Sequence, residues 1–479
     1  VKAYLIGGMV RDLLLERHTA DIDIAVDADA LDIAAHFAGA IGGTYVLLDE
    51  VNRIGRVVPP ETGETKGGWE IDVSALRGTI EEDLSRRDFT IDAMAIDLAG
   101  MTFLRGKSTI SFPEIIDPFC GQKDMRNKIV RQVSESSFPD DPARLIRAVR
   151  LAADLEFSID DKTEEAIRRH AHLISGVAGE RVREELLKML ALPGSGKSVS
   201  YLNELDLLTV LIPELAYGRG VDQPKIHVWD VLEHSLQTVR AIDFVLRLND
   251  WDYADKHVLA SIPWSPKLEQ HFKQEVSHDS TRSSLLKLAA LLHDIAKPQT
   301  KAIDETGRAR FLGHAGEGAE IVTDIMQRLR FSAREIKLVE LLVRHHLRPT
   351  QMSAEGLPTH RAIYRYFRDT EDAGIDILFL SLADHLATRG GTLDKTEWQR
   401  HTGVVAYIIE QRFAAESVIV PPKLIDGNDL IKIFRLSPGP RIGAILETVR
   451  EAQAGGEIRT REEALAHAKA MITSPPSKE

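Results

Sequence analysis

Apolar and polar residues alternate in short runs over residues 1–115. In the run Asp21–Val26, Ile22 and Ile24 alternate with two aspartates, and a similar run spans residues 69–73. Side chains two positions apart on a strand share a face, so both runs predict half-buried strands. Helical patterns separate the runs. We therefore predict an α/β head built around a mixed sheet with helices.

The apolar spacing after residue 115 is helical, and turns divide this part of the chain. A polar segment at residues 249–284 interrupts it and is predicted to be an insertion or a mobile loop. The predicted all-α domains are a neck at 116–178, a body at 179–221, a larger domain at 222–395 and a tail at 396–479.

The composition indicates a multidomain protein. Its 479 residues exceed the size at which a single core stops growing, about 250–300 residues. The only cysteine, Cys120, excludes internal disulfides and thiolate zinc clusters, which is typical of the cytoplasm. No apolar run approaches the roughly 18 residues of a membrane span and no signal peptide is visible, so we expect no membrane partner.

The strongest chemical pattern lies at the N-terminus. Gly7 and Gly8 lie where a strand gives way to a helix, so backbone N–H groups there can approach phosphate oxygens, and Arg11 follows one turn later. Asp21 and Asp23 share one strand face and can share a divalent cation, for which Mg²⁺ with its preference for oxygen is suited. The chemistry indicated is nucleotidyl transfer, in which cations activate a 3′-hydroxyl and neutralise the leaving pyrophosphate.

Two further clusters supply cations and acceptors. Arg86 and Arg87 form a cationic fork that suits a triphosphate, and Asp88 is an acceptor that suits a ribose hydroxyl. Asp141 and Arg144 are three residues apart on a predicted helix, so they present an acceptor and a donor side by side.

Arg147 and Arg150 continue the face of that predicted helix. Both are candidates for phosphate or packing contacts. A solvated helix face with ion pairs explains them equally well, and this alternative stays open.

These motifs, in this order, resemble the class II tRNA nucleotidyltransferase and bacterial poly(A) polymerase family, a branch of the polymerase-β-type nucleotidyltransferases. The matching segments are GGMVRD at 7–12 with DID at 21–23, RRDFT at 86–90, DPFCGQKD at 117–124, DDPAR at 140–144 and ERVREEL at 180–186. The resemblance implies a polymerase-β-like head with Mg²⁺ at Asp21 and Asp23. It also implies that the segment containing Asp88 recognises the ribose.

In that family the pair matching Asp141 and Arg144 reads the base of incoming CTP or ATP without a nucleic-acid template. The residues at 180–185 are expected to support this pair as a scaffold. The chain departs from the family pattern at Asp140, where Glu is usual, and at Asp92, where Asn is usual.

Only residues 74–85 lie between the second predicted strand and the RRDFT motif. Family members that add the complete CCA end usually carry a longer flexible loop there, and relatives that add only two cytidines have lost it. The short segment therefore favours CC addition, with CCA addition left open. An A-adding enzyme or a poly(A) polymerase is the alternative.

Histidines and aspartates recur inside apolar helical segments between residues 222 and 395. Their order resembles the HD superfamily of metal-dependent phosphohydrolases, and the expected metal ligands are His234, His293, Asp294, His314, His345 and Asp384. His346 is an alternative to its neighbour His345. Mixed histidine and carboxylate sets suit Mn, Fe, Ni or Co as well as Mg. One alternative is that this domain has only a structural role. The other is that it is the catalytic domain, a phosphohydrolase, and that the transferase head is degenerate.

The expected partners are CTP, ATP and the acceptor stem and 3′ end of tRNA. The net charge of −13 opposes RNA binding, so phosphate contacts require a local basic surface. Candidates are the arginine-rich helices between residues 126 and 188, and basic residues of the tail. The acidity also disfavours a processive poly(A) polymerase. The oligomeric state is not predicted.

Overall fold

The computed structural model describes residues 1–19, 21–60, 69–100, 102–103, 110–111, 114–224, 226–353, 356–414 and 422–473. The chain forms two compact units. The first contains residues 1–189 and 201–211, and the second contains residues 190–200 and 212–479. The predicted fold class is confirmed, although short strand pairs interrupt the helical part.

The head follows the predicted alternation of strands and helices. Its strands are β1 (Ala3–Ile6), β2 (Asp21–Val26), β3 (Thr44–Asp49), β4 (Ile54–Val58), β5 (Glu70–Ala75), β6 (Ala95–Asp97), β7 (Thr102–Phe103) and β8 (Ile110–Ser111). Its helices are α1 (Gly8–Leu14), α2 (Ala30–Ile41) and α3 (Ile80–Leu84), with 3-10 turns at Thr90–Asp92 and Leu98–Gly100.

A mixed six-stranded sheet in the order β3-β4-β5-β2-β1-β6 forms the centre of the head. Strands β2 and β5 run parallel, and the other neighbours are antiparallel. The register pairs Asp23 with Asp72 on one side and with Ile6 on the other. Strand β2 is therefore central in the sheet, with Asp23 paired on both sides and Asp21 at the start of the strand.

Each face of this sheet is covered by different apolar residues. On one face, small alanines at every fourth position of α2 pack against Val57, Ile71 and Val73. On the other face, Ile80 and Leu84 of α3 pack with residues of β1, β2 and β6. Since Asp21 and Asp23 share the second face with Ala25, strand alternation directs both carboxylates away from α2.

The helical part of the chain up to residue 218 contains α4 (Gly121–Arg126), α5 (Ser137–Asp140), α6 (Arg144–Leu155), α7 (Asp161–His170), α8 (Gly179–Ala191), α9 (Ser195–Glu204) and α10 (Leu207–Leu211). Two 3-10 segments, Ala171–Gly176 and Pro213–Gly218, accompany them. A short parallel pair, β9 (Ile129–Val130) and β10 (Ser158–Ile159), was not predicted.

The following helices are α11 (Val231–Val245), α12 (Lys256–Ala260), α13 (Pro266–Phe272), α14 (Arg282–Leu292), α15 (Lys297–Thr300), α16 (His314–Arg328), α17 (Ala333–His345), α18 (Arg348–Ser353), α19 (His360–Thr370), α20 (Gly374–Arg389) and α21 (Lys395–Ala414). Antiparallel pairs are β11 (Glu275–Ser277) with β12 (Ser280–Thr281), and β13 (Lys301–Ile303) with β14 (Ala309–Phe311). Helices α11, α14 and α20 are buried on nearly every side, as expected for central helices.

Residues 249–284 do not form the mobile loop that we expected as one alternative. They fold into α12, α13 and the β11–β12 pair, with Trp251, Leu268 and Phe272 buried. Phe272 packs against Phe379 of α20 with ring centroids 4.7 Å apart. The few apolar residues of this polar segment are thus enough to anchor it.

Three helices end the described chain: α22 (Gly427–Phe434), α23 (Pro440–Ala454) and α24 (Arg461–Thr473). They share a core that includes Leu430, Ile445 and Val449. Among the described residues, no helix is both long enough and apolar enough to cross a membrane.

A buried ion pair joins α11 to α14 in the second unit. The Lys287 ammonium lies 2.8 Å from Asp243 Oδ1 and donates to the carbonyls of Leu190 and Leu192, both at 2.9 Å. Neither charged side chain reaches solvent to a significant degree. The backbone N–H of Gly196 donates to the other oxygen of Asp243. Each partner therefore depends on the other for its neutralisation.

We expect Lys287→Met to lower the free energy of unfolding by about 3–5 kcal/mol, because it leaves Asp243 buried without its cation. Urea denaturation followed by tryptophan fluorescence measures this, since four of the five tryptophans lie in the second unit. Lys273→Ala is the control. Its exposed pair with Glu269 contributes less than about 1 kcal/mol. Equal effects of the two substitutions would contradict the assigned role.

Candidate functional site

A polar cavity of about 1100 Å³ lies in the first unit. The residues that the sequence patterns selected and that line it are Gly7, Gly8, Asp23, Arg86, Arg87, Asp88, Asp141, Arg144 and Arg147. Motifs from distant parts of the chain thus meet at one place.

Gly7 has a backbone conformation that strongly favours glycine. Its φ is +70°, and a Cβ there would lie 3.0 Å from both Arg87 Nη1 and Asp23 Oδ2. A side chain would therefore combine left-handed backbone strain with two close contacts. The missing side chain allows the cation and the carboxylate to lie beside the backbone where β1 turns into α1.

Carboxylates crowd the centre of the sheet. Asp72 lies beside Asp23 on the parallel neighbour strand, and Asp21 lies two residues before Asp23. Burial raises the pKa of Asp23; Arg87 opposes this, and the charges of Asp72 and Asp21 add to the increase. A divalent cation relieves such repulsion, so this donor set of carboxylate oxygens fits Mg²⁺.

Asp72 was missed by the sequence analysis as a site residue. Arg56 binds its carboxylate with both Nε, at 2.7 Å, and Nη2, at 2.9 Å. The alternation of Glu70 and Asp72 with apolar residues on β5 was an available signal, because strand alternation places both on one face.

Two expected site residues are not part of the cavity lining among the described residues. Asp21 is exposed at the start of β2. Arg11 is buried beneath the Gly7–Gly8 turn, where Nε donates to Asp12 at 2.9 Å and Nη1 donates to Asp92 at 2.7 Å. The two carboxylates occupy its guanidinium, so Arg11 supports the turn instead of lying open to a phosphate.

Arg147 connects the RRDFT segment to the helices that follow. Its Nε lies 2.8 Å from Asp88 Oδ2, and this carboxylate raises the pKa of Arg147. Glu185 lies 3.9 Å from Arg147 and 2.5 Å from Arg150. Arg147 lines the cavity and also forms ion pairs. Both roles considered for this helix face, contact with a ligand and ion pairing, are therefore compatible with its position.

The prediction that Asp141 lies on a helix was wrong. Helix α6 begins at Arg144, and Asp141 has an extended backbone with φ −148° and ψ 94° in the turn between α5 and α6. Pro142 at the following position disfavours the helical conformation for Asp141. Both Asp141 and Arg144 nevertheless line the same cavity.

Arg181 holds Asp141 with a two-pronged ion pair, at 2.9 and 2.8 Å. Burial opposes ionisation of Asp141, but Arg181 outweighs it and lowers the pKa of the carboxyl group. Arg144 donates to the carbonyls of Arg86, at 2.8 Å, and Ser137, at 3.2 Å. These contacts hold the Asp141 carboxylate and the Arg144 guanidinium in fixed orientations in the wall of the cavity.

The histidine and aspartate cluster in the second unit forms two groups of possible metal ligands. One contains His234, His293 and Asp384, and the other contains Asp294, His314 and His346. Within each group the ligand atoms lie within 4.8 Å of one another. A cavity of about 340 Å³ opens at Asp294, His314, His346 and Asp384.

The chemistry of this donor set fits metal ions. His293, His314 and His346 each direct Nδ1 at a backbone carbonyl, at 2.9, 2.6 and 2.7 Å respectively, which leaves the Nε2 atom of each ring on the side of the cluster. Burial lowers the pKa of His346 to about 3, so its imidazole is neutral, as a ligand must be. The Asp294 carboxylate is buried, and its Oδ2 lies 2.5 Å from the Lys297 ammonium and 3.1 Å from His293 Nε2.

His345, the residue expected as a ligand, is not the histidine that faces this cluster. Helix α17 ends at His345, and the buried His346 lies 3.7 Å from Asp294 Oδ1 while His345 is half-buried. Consecutive residues near a helix end point about 100° apart, so only one of two adjacent histidines can face a given site. The sequence could not decide which one.

Models of four known families match the chain in sequence order. They are the poly A polymerase head domain at residues 3–131, a probable RNA- and SrmB-binding site of polymerase A at 156–218, the HD domain at 254–389 and a putative domain 2 of tRNA nucleotidyltransferase at 398–468. The matched ranges include most of the residues of both candidate sites, whereas Asp141, Arg144, Arg147 and His234 lie between them.

The chain is similar over nearly its whole length to curated proteins. It is 33% identical to an A-adding tRNA nucleotidyltransferase of Deinococcus radiodurans, covering 99% of this chain and 96% of that protein. It is 32% identical to a CC-adding tRNA nucleotidyltransferase of Thermus thermophilus, covering 97% and 92%.

Among solved structures, a CCA-adding enzyme complexed with CTP has a TM-score of 0.61 at 22% identity, covering 99% of this chain and 92% of that one. A Thermotoga maritima CCA-adding enzyme complexed with tRNA has a TM-score of 0.57 at 22% identity, covering 98% and 91%. These likenesses show a shared fold.

We expect His346→Ala to lower the amount of divalent metal bound at the second-unit site by about one equivalent, since it removes a neutral ligand. His345→Ala is the matched control and should leave the amount unchanged. Titration with Mn²⁺ followed by calorimetry, with metal analysis of the dialysed protein, distinguishes them. A loss in His345→Ala alone would overturn the assignment of His346.

Proposed function

The chain belongs to the class II tRNA nucleotidyltransferase family with an HD domain, and from this premise we propose that it adds nucleotides to the 3′ end of tRNA from CTP or ATP without a nucleic-acid template. The observation that carries the proposal is the single cavity shared by the acidic strand, the arginine fork and the Asp141–Arg144 pair. These are the parts that metal binding, triphosphate binding and base selection require.

In this proposal the head binds the triphosphate next to the Gly7–Gly8 turn. Asp21 and Asp23 would hold Mg²⁺, which when bound neutralises phosphate charge and lowers the pKa of the attacking hydroxyl. Arg87, held beside Asp23 over Gly7, lies where it can pair with phosphate oxygens. The 3′-hydroxyl oxygen of tRNA bonds to the α-phosphorus, pyrophosphate leaves, and the hydroxyl proton passes to solvent.

Base selection follows from the fixed acceptor and donor. Cytosine and adenine both present an amino donor beside a ring-nitrogen acceptor on their Watson–Crick edge, which complements Asp141 and Arg144. Guanine and uracil present the reverse order and would place acceptor against acceptor. Arg181 keeps Asp141 ionised and oriented for this task.

The nucleotide added is proposed to be cytidine. Residues 76–85 form a turn and helix α3, whose Thr79 and Glu82 make a reciprocal capping box. This ordered segment leaves no long flexible loop between β5 and the RRDFT motif, which supports an enzyme that keeps one nucleotide preference. An A-adding enzyme is the runner-up, since one of the similar proteins carries that name.

A second activity is proposed for the HD domain, namely hydrolysis of phosphoesters. The favouring observation is the buried pair of ligand groups at the base of the 340 Å³ cavity, with Lys297 beside Asp294 at 2.5 Å. These residues would hold one or two divalent ions, with Mg, Mn, Fe, Ni and Co all compatible. Bound ions would lower the pKa of a water molecule and so supply the nucleophile for hydrolysis.

The first test supplies tRNA transcripts that lack the CCA end, or that end in CC, together with Mg²⁺ and CTP, ATP or both. We expect two cytidines and no adenosine, because the short segment does not permit a change of base preference. Product lengths at single-nucleotide resolution measure this. Complete CCA addition or extension by ATP alone would overturn the choice of cytidine, and no extension would overturn the function itself.

The two sites should be separable by substitution. We expect Asp23→Ala to lower nucleotide addition on the order of 10³-fold or more, because it removes the central carboxylate, and to leave phosphoester hydrolysis unchanged. His293→Ala combined with Asp294→Ala should have the opposite effect. Both activities are measured on each protein, with circular dichroism as a check of folding. Full nucleotide addition by Asp23→Ala would refute the metal site of the head.

A further inference from the structure

The second unit contains another cavity, of about 290 Å³. None of the described residues that line it also lines the cavity at the histidine and aspartate cluster. Its walls come from α13, α14, α19, α20 and α21 and from the 3-10 turn Glu371–Ala373. The basic side chains in its lining are those of Lys267, His271, Arg282 and Arg412. We call it the α13–α21 cavity.

Two of these cations, Lys267 and Arg412, have no carboxylate partner among the described residues. The Lys267 ammonium lies 5.4 Å from the ring centroid of Phe413, and the Arg412 guanidinium lies 5.3 Å from that of Phe367. Both rings line the cavity, so cation–π contacts hold the two charges at its wall. Contact with a ring face leaves the N–H donors of a cation free to bind an anion.

The acidic side chains in the lining of this cavity are already paired with other cations. Asp372 lies 2.6 Å from Arg282, and Glu371 lies 3.5 Å from Lys337. Arg282 is 8% exposed, and its Nη1 also donates to the buried Asp376 at 2.7 Å. The two cations that contact the rings therefore remain as uncompensated positive charge.

Helix α20 begins at the same cavity. Gly374 and Ile375, its first two residues, line the cavity, and no side chain caps the helix at Ala373. The aligned peptide dipoles of this 16-residue helix place partial positive charge at its start. The acid of its first turn, Asp376, is buried and already contacts Arg282 and His271, at 2.7 and 2.9 Å. The helix start thus adds to the attraction of an anion.

An anion with several acceptor oxygens matches these groups. A phosphate group can accept hydrogen bonds from an ammonium and a guanidinium at once, because its oxygens point in different directions. The cavity volume is close to the lower limit of small-molecule sites, about 300 Å³. Acidic residues outnumber basic ones in this chain, whose net charge is −13. A surplus of basic residues therefore does not explain two unpaired cations at one cavity.

We propose that the α13–α21 cavity binds a phosphate group between the Lys267 ammonium and the Arg412 guanidinium. The buried Arg282 and the start of α20 contribute further positive potential. An RNA backbone and a small phosphorylated molecule both present this group. The site is separate from the head cavity and from the histidine and aspartate cluster, so its occupation requires neither nucleotide addition nor hydrolysis.

The first experiment combines Lys267→Gln with Arg412→Gln in the full-length protein, which removes both charges and keeps polar side chains of similar shape. Equilibrium dialysis against radiolabelled inorganic phosphate measures the amount bound. We expect the double variant to bind about one equivalent less than the wild-type protein, because every other phosphate-binding group of the chain is unchanged. Circular dichroism checks that the variant folds.

Lys301→Gln combined with Arg308→Gln is the matched control. Both residues are exposed in the β13–β14 hairpin, and neither is among the described residues that line the α13–α21 cavity. The control changes the net charge by the same amount, so it measures the general electrostatic effect. It should bind as much phosphate as the wild-type protein.

Filter binding of tRNA that lacks the CCA end, over a series of salt concentrations, identifies the source of the phosphate. If RNA supplies it, the Kd for tRNA should be about tenfold higher in the double variant than in the control. The dependence of log Kd on log salt should then fall by about one phosphate contact. If a small molecule supplies it, only phosphate binding is lost. Agreement of the double variant with the control in both measurements would overturn the proposal.

A test on the unaltered protein does not depend on how the variants fold. Lys267 and Lys301 are both exposed, so acetylation of each can be followed by mass spectrometry in one sample. Inorganic phosphate at about ten times its Kd should slow acetylation of Lys267 about tenfold by mass action and leave Lys301 unaffected. Transfer RNA should have the same effect if RNA is the source. Unchanged acetylation of Lys267 with both ligands would overturn the proposal.

Discussion

The head cavity depends on the close approach of an arginine and an aspartate to a backbone position that has no side chain. Gly7 separates Arg87 from Asp23, and any Cβ at that position would contact both. The strand register adds Asp72 beside Asp23. The turn at Gly7, the parallel strands β2 and β5, and Arg87 thus bring several charged groups together. Residues of the helices that follow complete the walls of the cavity.

The two candidate sites differ in how their buried charged side chains are paired. In the head, most charged groups are already paired: Arg147 with Asp88, Arg181 with Asp141, and Arg11 with Asp12 and Asp92. In the second unit, burial lowers the pKa of His346, and the buried Asp294 carboxylate lies beside the Lys297 ammonium and imidazole nitrogens of the cluster. The charged groups that line the head cavity suit a charged organic substrate. The histidine nitrogens and carboxylate oxygens of the second site suit metal ions.

Ion pairing also changes what individual residues can do. Arg11 follows the glycine pair in sequence and was expected to bind phosphate, yet two carboxylates bind its guanidinium and it supports the turn. Arg181 was expected to act only as a scaffold, and its two-pronged contact makes it the residue that orients Asp141. The role of each arginine therefore depends on which carboxylates lie within hydrogen-bond distance of it in the folded chain.

The sequence by itself determined the fold class, the strand that carries Asp21 and Asp23, and many of the residues that line the two cavities, because alternation and motif spacing are local properties of the chain. Tertiary structure decided that His346 rather than His345 faces Asp294, that Asp141 precedes its helix, and that Asp72 joins the acidic cluster. It also decided that residues 249–284 fold. These outcomes follow from strand register, helix ends and burial against distant residues, which no local pattern encodes.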